Sequence, residues 1–424
     1  MVQESPTRPA ASSGRLILIA LLALGLVARL ALALLTTELR AVGLPDSLEF
    51  LATGQAVFDG EGFLLRESVI TGRTEDATHV TLARRMPGYP ALVAAGDFLF
   101  GRSVRAVLVF QAVCGAAMLA VAFWMAWRLG GLWAGIITVA LLAFDPYQVY
   151  FTALLLPTVL TGLALALAAG AGLAYLDALQ AGGRAWLWAA LAGLAVAAAT
   201  YLEPAAAWLA IVAGLAAAVA KDRRRLLAGW AVGAAVLVVA LAPWMARNAS
   251  EIGVPVLTTD FGAALYEGTL PPVTDPAAEP PPDPRIPEAE VLGEAQRDLF
   301  YLGQAVRRVG QSPLNWLCRA IGRAGETWGP EAILPGFLPM SAVAGWTSLL
   351  PTAILALVGV WVMRDRRPAM VWLLVPVIWV TLAHAMPVAP AWERLAVMPV
   401  LAVLGGVGLA KVLARGTAGL SSRG

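Results

Sequence analysis

Long unbroken apolar runs leave this chain few ways to fold. Crossing a hydrocarbon core of about 30 Å takes about 20 apolar residues in a helix. Residues 104–127 and 153–176 reach that length without a single acidic side chain. Inside lipid every backbone amide must be satisfied within its own segment, which makes each run a helix. Such runs lie near Leu16–Leu35, Val104–Trp127, Leu132–Phe144, Ala153–Leu176, Ala185–Tyr201 and Ala205–Ala220, then Leu226–Met245, Gly345–Met363, Ala369–Met386 and Leu395–Leu413. We therefore expect an all-α polytopic membrane protein of about ten transmembrane helices. The composition agrees. Hydrophobic residues make up 59% of the chain and charged ones 14%, where a soluble protein carries about 25% charge.

Basic residues beside short loops orient such a bundle, because they are retained on the cytoplasmic side. Lys221-Asp222-Arg223-Arg224-Arg225 and Arg364-Asp365-Arg366-Arg367 fall on one face when the spans are counted from a cytoplasmic N-terminus. Arg8, Arg15, Arg128, Arg184, Lys411, Arg415 and Arg423 join them. The expected organisation is a cytoplasmic tail over 1–15, a transmembrane domain over 16–414 and a second cytoplasmic tail over 415–424. The first apolar run is long for a signal-peptide core and contains Arg29, so it reads as an uncleaved signal anchor. A formal net charge of +2 gives no reason to expect a nucleic-acid partner. Cys114 and Cys318 fit neither a redox pair nor a metal site, and His79 and His384 have no ligand partners at metal-site spacing.

Two long outer loops remain, over 36–102 and 247–344, the first and fourth on that face. The first carries a helical pattern over Ser47–Phe58 and a second over Tyr89–Phe100, after the Pro87-Gly88-Tyr89-Pro90 turn. Both are too short to span and are expected along the membrane interface. In the fourth, Pro271–Pro287 reads as extended and mobile. Helices are expected to start at Pro287 and Pro313, with arginines off the apolar face of the latter.

Charged groups near membrane depth need a partner or a purpose. Asp46 ends the first outer turn with Glu49 three residues on, so helical spacing puts both carboxylates on one face. Asp46 is either a general base for an attacking hydroxyl or part of a capping box at a helix start. Arg84 and Arg85 precede a rigid turn, where paired guanidiniums suit a phosphate or a lipid headgroup. Arg247, at the outward end of the seventh run, reads as an interfacial arginine, and Glu393-Arg394, before the tenth, as an ion-pair-like element. Asp145, Tyr147 and Glu203 complete a set of polar groups on the same face. Carboxylates such as Asp46 and Asp145 could also hold a divalent cation.

Taken in order, these residues resemble the GT-C superfamily of membrane glycosyltransferases, in the branch of protein mannosyltransferases and lipid A aminoarabinose transferases. The resemblance runs from Arg29 to Gly405-Gly406. It rests on Asp46, Gly60-Glu61-Gly62-Phe63, the stretch Arg85–Leu92, Gly101-Arg102-Ser103, Pro243–Asn248 and Thr258–Gly262. It implies an enzyme that takes a sugar from a polyprenyl-phosphate donor and passes it, with inversion, to a glycan, lipid or protein acceptor outside the cytoplasm. By the same matching Asp46 is the base, Arg85 contacts the donor phosphate, Arg247 and Arg394 neutralise it, and Tyr89 and Glu203 lie on the substrate side. The chain departs from the family at Phe50, where a tyrosine is common. It also departs at Leu156-Pro157-Thr158, Leu202-Glu203-Pro204 and Glu393-Arg394-Leu395. Two other readings stand beside this one, a lipid or small-molecule transporter and a non-catalytic scaffold of the same fold. A transporter is expected to place charges near the bilayer midplane, whereas here the polar groups gather at one face.

Overall fold

The structure is a computed structural model that describes residues 8–71, 80–270, 286–329, 342–387 and 391–421. It is all-helical apart from one two-residue strand pair, and the long helices follow the apolar runs. We label them α1 (Arg8–Leu35), α2 (Pro45–Phe58), α3 (Gly88–Phe100), α4 (Val104–Gly130), α5 (Leu132–Ala143), α6 (Thr158–Ala181) and α7 (Ala185–Leu202). They continue as α8 (Leu209–Val219), α9 (Arg223–Ile252), α10 (Glu294–Gln311), α11 (Pro313–Thr327), α12 (Ala342–Val362), α13 (Arg367–Ala385) and α14 (Met398–Ser421). Among the described residues, 8 helices are long and apolar enough to cross a membrane.

Two of the ten expected spans come out differently. The third is broken: α5 and the short helical stretch Pro146–Ala153 meet at 62°, so together they make a bent span or a re-entrant turn. Asp145-Pro146 explains the break, because proline supplies no amide to continue the helix and the Asp145 carboxylate takes over as cap. The sixth splits into a 3₁₀ turn over Pro204–Trp208 and α8, whose 11 residues rise only about 16 Å. The proline stretch 271–285 and His79 lie outside the described residues.

Helices α6 and α14 form the middle of the bundle and α1 and α9 its periphery, facing the bilayer. The central cluster packs Leu108, Met118, Leu119 and Met125 of α4 against Leu142, Leu155 and Leu173 and against Val400–Leu404 of α14. Arg29 is fully buried in it and donates to the carbonyls of Gly25 and Leu142 at 3.0 and 3.1 Å. A side chain at Gly115 would run into the Arg29 stem, so the glycine makes the room. Arg29 thus turns its two terminal nitrogens to backbone oxygens within the bundle rather than snorkelling out, and its buried Nε has no partner among the described residues.

The two ends of the bundle differ. At one, Arg128 pairs with Asp177, Arg366 donates to Leu129 O at 3.1 Å, and Tyr175 donates to Arg225 O at 2.5 Å. These contacts gather the Lys221–Arg225 and Arg364–Arg367 turns at a single basic end. The other end carries both long loops. There α2 and α3 lie side by side, as expected of short interfacial helices, each beginning one or two residues earlier than its apolar pattern suggests. The strand pair joins Leu65–Arg66 to Val80–Thr81, antiparallel. It is too short to carry an alternating pattern in the sequence.

Candidate active site

The site starts in the first turn of α2. Pro45 opens that helix with the φ a first turn needs, and the N-cap position is taken by Leu44, whose side chain offers no cap. The capping-box reading of Asp46 is therefore not realised: neither Asp46 nor Glu49 turns back to the helix start. Both carboxylates face a segment that the strand Val80–Thr81 delivers from 35 to 39 residues downstream. Arg85 donates Nη2 to Asp46 Oδ1 at 2.5 Å and Nε to Glu49 Oε2 at 2.7 Å. Arg84 donates Nε to the same Glu49 oxygen at 3.1 Å and Nη1 to Asp260 Oδ1 at 2.6 Å.

Exposure separates the roles. The Glu49 side chain is 6% exposed, with both oxygens taken by arginines, whereas Asp46 is 40% exposed and Arg85 engages only its Oδ1. Glu49 is thus the buried post that aims two guanidiniums, and Asp46 is the carboxylate that solvent or a ligand can reach. Burial alone raises the Glu49 carboxyl, but Arg85 and Arg84 outweigh it and hold it below the usual range. Burial also opposes the charged Arg85, yet Glu49, Asp46 and Asp260 more than offset this, so it stays protonated.

The second long loop clamps the arginine segment from the other side. Glu294, in the first turn of α10, accepts from the amides of Leu82 and Ala83 at 2.6 and 2.8 Å and from Thr259 Oγ1 at 2.5 Å. Thr259 N donates to Ala83 O at 3.0 Å, and Arg297 pairs with Glu67 at 2.6 Å. Arg247 stacks on Trp244, 5.0 Å from the ring, and donates to Leu82 O at 2.5 Å and Phe63 O at 3.2 Å. Asn248 and Trp244 in turn hold the carbonyls of Val256 and Leu257. Arg247 therefore stands beside the Arg84-Arg85 pair, with its guanidinium spent on carbonyls.

The turn after Arg85 sits hard on α7. A side chain at Gly88 would overlap the Tyr201 carbonyl, which requires glycine there. Tyr89 is fully buried, its hydroxyl donating to Gln111 Oε1, while Gln111 donates to Thr152 O and Leu154 O at 3.1 and 2.9 Å. Its expected contact with substrate is not what this placement provides, because Tyr89 ties α3 to α4. Phe50 stacks edge-on against Tyr89 at 5.1 Å and lies under the Arg85 guanidinium at 5.1 Å. A phenyl ring at this position thus keeps the packing and the cation–π contact.

Glu203 caps the turn at the end of α7, accepting from Ala205 N at 3.4 Å. Burial and the neighbouring Glu393 push its carboxyl up to about 8, with His384 and Arg85 acting the other way. His384 Nε2 lies 2.7 Å from Glu393 Oε2, although the pair misses hydrogen-bond geometry. Arg394 is 3% exposed and donates to Thr327 O and Gly329 O at 3.0 and 2.7 Å, so it finishes α11. Asp145 is buried too. It accepts from Tyr147 N, Gln148 N and Ser348 Oγ at 2.9, 3.0 and 2.8 Å and shares no hydrogen-bond partner with Asp46. The structure thus brings Asp46, Glu49, Arg84 and Arg85 together with Arg247 beside them, sets Glu203 within electrostatic reach of Arg85, and gives Asp145, Tyr89 and Arg394 supporting positions. Among the described residues no group of three or more His, Cys, Asp or Glu side chains is arranged to hold a metal.

Asp260 and Glu294 belong to the site and were not singled out in the sequence. Asp260 lies in a motif that signals only a resemblance, and Glu294 reads as an ordinary acid in a helical first turn. Nothing local marks either, because their partners are 176 and more than 200 residues away.

A multi-pass bundle with a carboxylate–arginine cluster at the end opposite its basic turns is a membrane protein with one polar working face. Comparison with known proteins shows which solved structures share this fold. The oligosaccharyltransferase AglB of Archaeoglobus fulgidus, in complex with an inhibitory peptide and a dolichol-phosphate, superposes with a TM-score of 0.57 at 13% identity, over 94% of this chain and 50% of that one. The same enzyme complexed with Zn and sulfate gives 0.53 at 14% identity, over 94% and 51%. ArnT of Cupriavidus metallidurans bound to undecaprenyl phosphate gives 0.43 at 15% identity, over 95% and 78%. No protein-family model matches the sequence, and no curated protein matches it. The AglB similarities show that this chain shares the fold of that enzyme's matching half. The chain spans about half the length of the AglB structures it matches.

Proposed function

We propose that this protein is a membrane glycosyltransferase that moves a sugar from a polyprenyl-phosphate donor to an acceptor outside the cytoplasm, with inversion. The observation that carries the reading is the reachable Asp46 held 2.5 Å from Arg85, at the loop-bearing end of a GT-C bundle. AglB, which shares the fold, has been seen with a dolichol-phosphate and a peptide. The basic turns at the opposite end argue that the site faces away from the cytoplasm.

In this reading Asp46 Oδ2, the oxygen Arg85 leaves alone, takes the proton of the acceptor nucleophile. The nucleophile's electron pair forms the new bond to the anomeric carbon while the bond from that carbon to the phosphate oxygen breaks on the opposite face, inverting the centre. The electrons of the broken bond leave on the lipid phosphate. That phosphate is already a stable anion, so it needs cationic stabilisation rather than a general acid. Arg85, through the Nη1 that no carboxylate engages, and Arg84 are placed to supply it, and Arg247 stands behind them. Glu49 acts through the arginines as a positioning residue. Asp46 and the arginines sit at the membrane end, so the donor chain can remain in lipid while its headgroup enters the site.

The test is transfer from a panel of radiolabelled polyprenyl-phosphate sugars in membranes containing the wild-type chain, Asp46→Asn or Arg85→Ala. Transfer by the wild type that is lost in both variants at equal protein levels supports the reading. Transfer that survives Asp46→Asn removes Asp46 as the base. Failure of the purified protein to bind or consume any polyprenyl-phosphate sugar overturns the function.

A further inference from the structure

An apolar cavity begins near the basic end of the bundle, at Leu226, and reaches as far as Val196 and Leu237. Helices α6, α7, α8, α9 and α13 enclose it, and it holds about 760 Å³ of empty space counting its open mouth. Its lining has no charged side chain among the described residues and is built on small ones, Gly172, Gly193, Gly229 and Gly233 among them. Two of the polar groups are engaged, Tyr175 donating to Arg225 O at 2.5 Å and Trp230 Nε1 to Ala210 O at 2.7 Å, while the Trp372 indole lies against Gly172. Such a cavity offers a ligand mainly apolar contact. Its enclosed part is narrow, about 80 Å³, and has no room for a helix about 10 Å wide. At membrane depth, that leaves a hydrocarbon chain as the occupant.

The rim supplies the other half of the ligand. Leu226 and Gly229 line the cavity, and the residues just before them, Lys221, Arg223, Arg224 and Arg225, are exposed, with Asp222 the one acid in that run. The Tyr175 hydrogen bond fixes Arg225 at the mouth. Arginine clusters at a membrane surface attract anionic headgroups, about 1 kcal/mol for each residue.

We propose that this cavity holds one hydrocarbon chain of an anionic membrane lipid, with the headgroup seated on Arg223, Arg224 and Arg225. The site is distinct from the donor site and does not depend on the function proposed above. The lipid fills a void between α6, α7 and α9 and ties the basic turn to the bundle.

The experiment uses the full chain, delipidated in detergent and then exposed to vesicles of phosphatidylglycerol or of phosphatidylcholine, with bound lipid counted by native mass spectrometry. The expected result is one retained phosphatidylglycerol, held at least about tenfold more tightly than phosphatidylcholine. Replacing Arg223, Arg224 and Arg225 together with alanine, a change confined to exposed residues, removes that preference. Ala192→Phe with Ala213→Phe fills the cavity and removes retention. Should that double variant not fold, a phosphatidylglycerol with a photoactivatable acyl chain replaces it. Label on the peptides around Gly172 and Gly229 of the wild type supports the site, and label confined to outward faces overturns it. Equal retention of the two lipids by the wild type, or a preference unchanged by the arginine substitutions, overturns the proposal as well.

Discussion

At the scale of single residues, one buried carboxylate organises the site. Glu49 accepts from both Arg84 and Arg85, so removing it leaves two guanidiniums short of an anion in a poorly solvated place. Breaking a buried pair from one side costs about 3–5 kcal/mol. Glu49→Ala is therefore expected to lower the melting temperature in detergent, with Asp46→Asn much milder because Asp46 is 40% exposed. On activity the order reverses in kind. Asp46→Asn is expected to reduce transfer by about 10²- to 10⁴-fold with little change in donor affinity, as loss of a general base should, and donor-binding and single-turnover assays separate the two effects. Glu203 gives a pH signature. Its carboxyl is raised in the folded state, to about 8, by burial and Glu393, so the folded chain binds the extra proton more strongly than the unfolded one. Its contribution is complete at low pH and is lost as pH rises from the ordinary glutamate range through about 8. Glu203→Gln is expected to flatten the melting temperature over that window. An unchanged slope would remove Glu203 as its source.

At the scale of elements, what decides the site is how the short pieces are pinned. Gly88 lets the start of α3 lie on the end of α7, and Gly88→Ala forces a methyl group into the Tyr201 carbonyl. Overpacking of that kind costs about 1–3 kcal/mol, and here it also displaces Arg85 three residues upstream. Gly88→Ala is thus expected to lower both stability and transfer. Gly101 is the control. It has a left-handed φ of 73° and nothing around it, so Gly101→Ala should cost about 1 kcal/mol of stability and leave transfer intact, as melting and activity assays on both variants can show. The elements also mark where sequence reading stopped. The helices of 18 or more apolar residues were legible because hydrocarbon enforces length and composition together. The break at Asp145-Pro146, the strand pair Leu65–Arg66 with Val80–Thr81 and the 3₁₀ turn after Glu203 were not. The strand pair is set by a partner distant in the chain, and the stretches after Pro146 and Pro204, though each opens on a proline, hold too few residues to show a period.

At the scale of the whole molecule the bundle has a basic end and a working end, and its orientation in the membrane follows if the positive-inside rule holds. Cys318 is exposed on α11, at the working end, while Cys114 is half-buried within α4. A membrane-impermeant maleimide added to intact cells is expected to label the wild-type chain and to lose that labelling in Cys318→Ser. Labelling only after the membrane is opened would reverse the assignment. The sequence by itself determined that the chain is a membrane bundle, where most of its helices run, and that polar groups collect near the ends of particular spans. These follow from local composition, because lipid judges each segment by its own residues. It left open whether Asp46 caps a helix or meets an arginine, and which of the several arginines stand together. Only the tertiary structure decided these. Asp46 meets Arg85 across 39 residues and Arg84 meets Asp260 across 176, and which charges pair at such separations is settled by how the two long loops pack on the bundle.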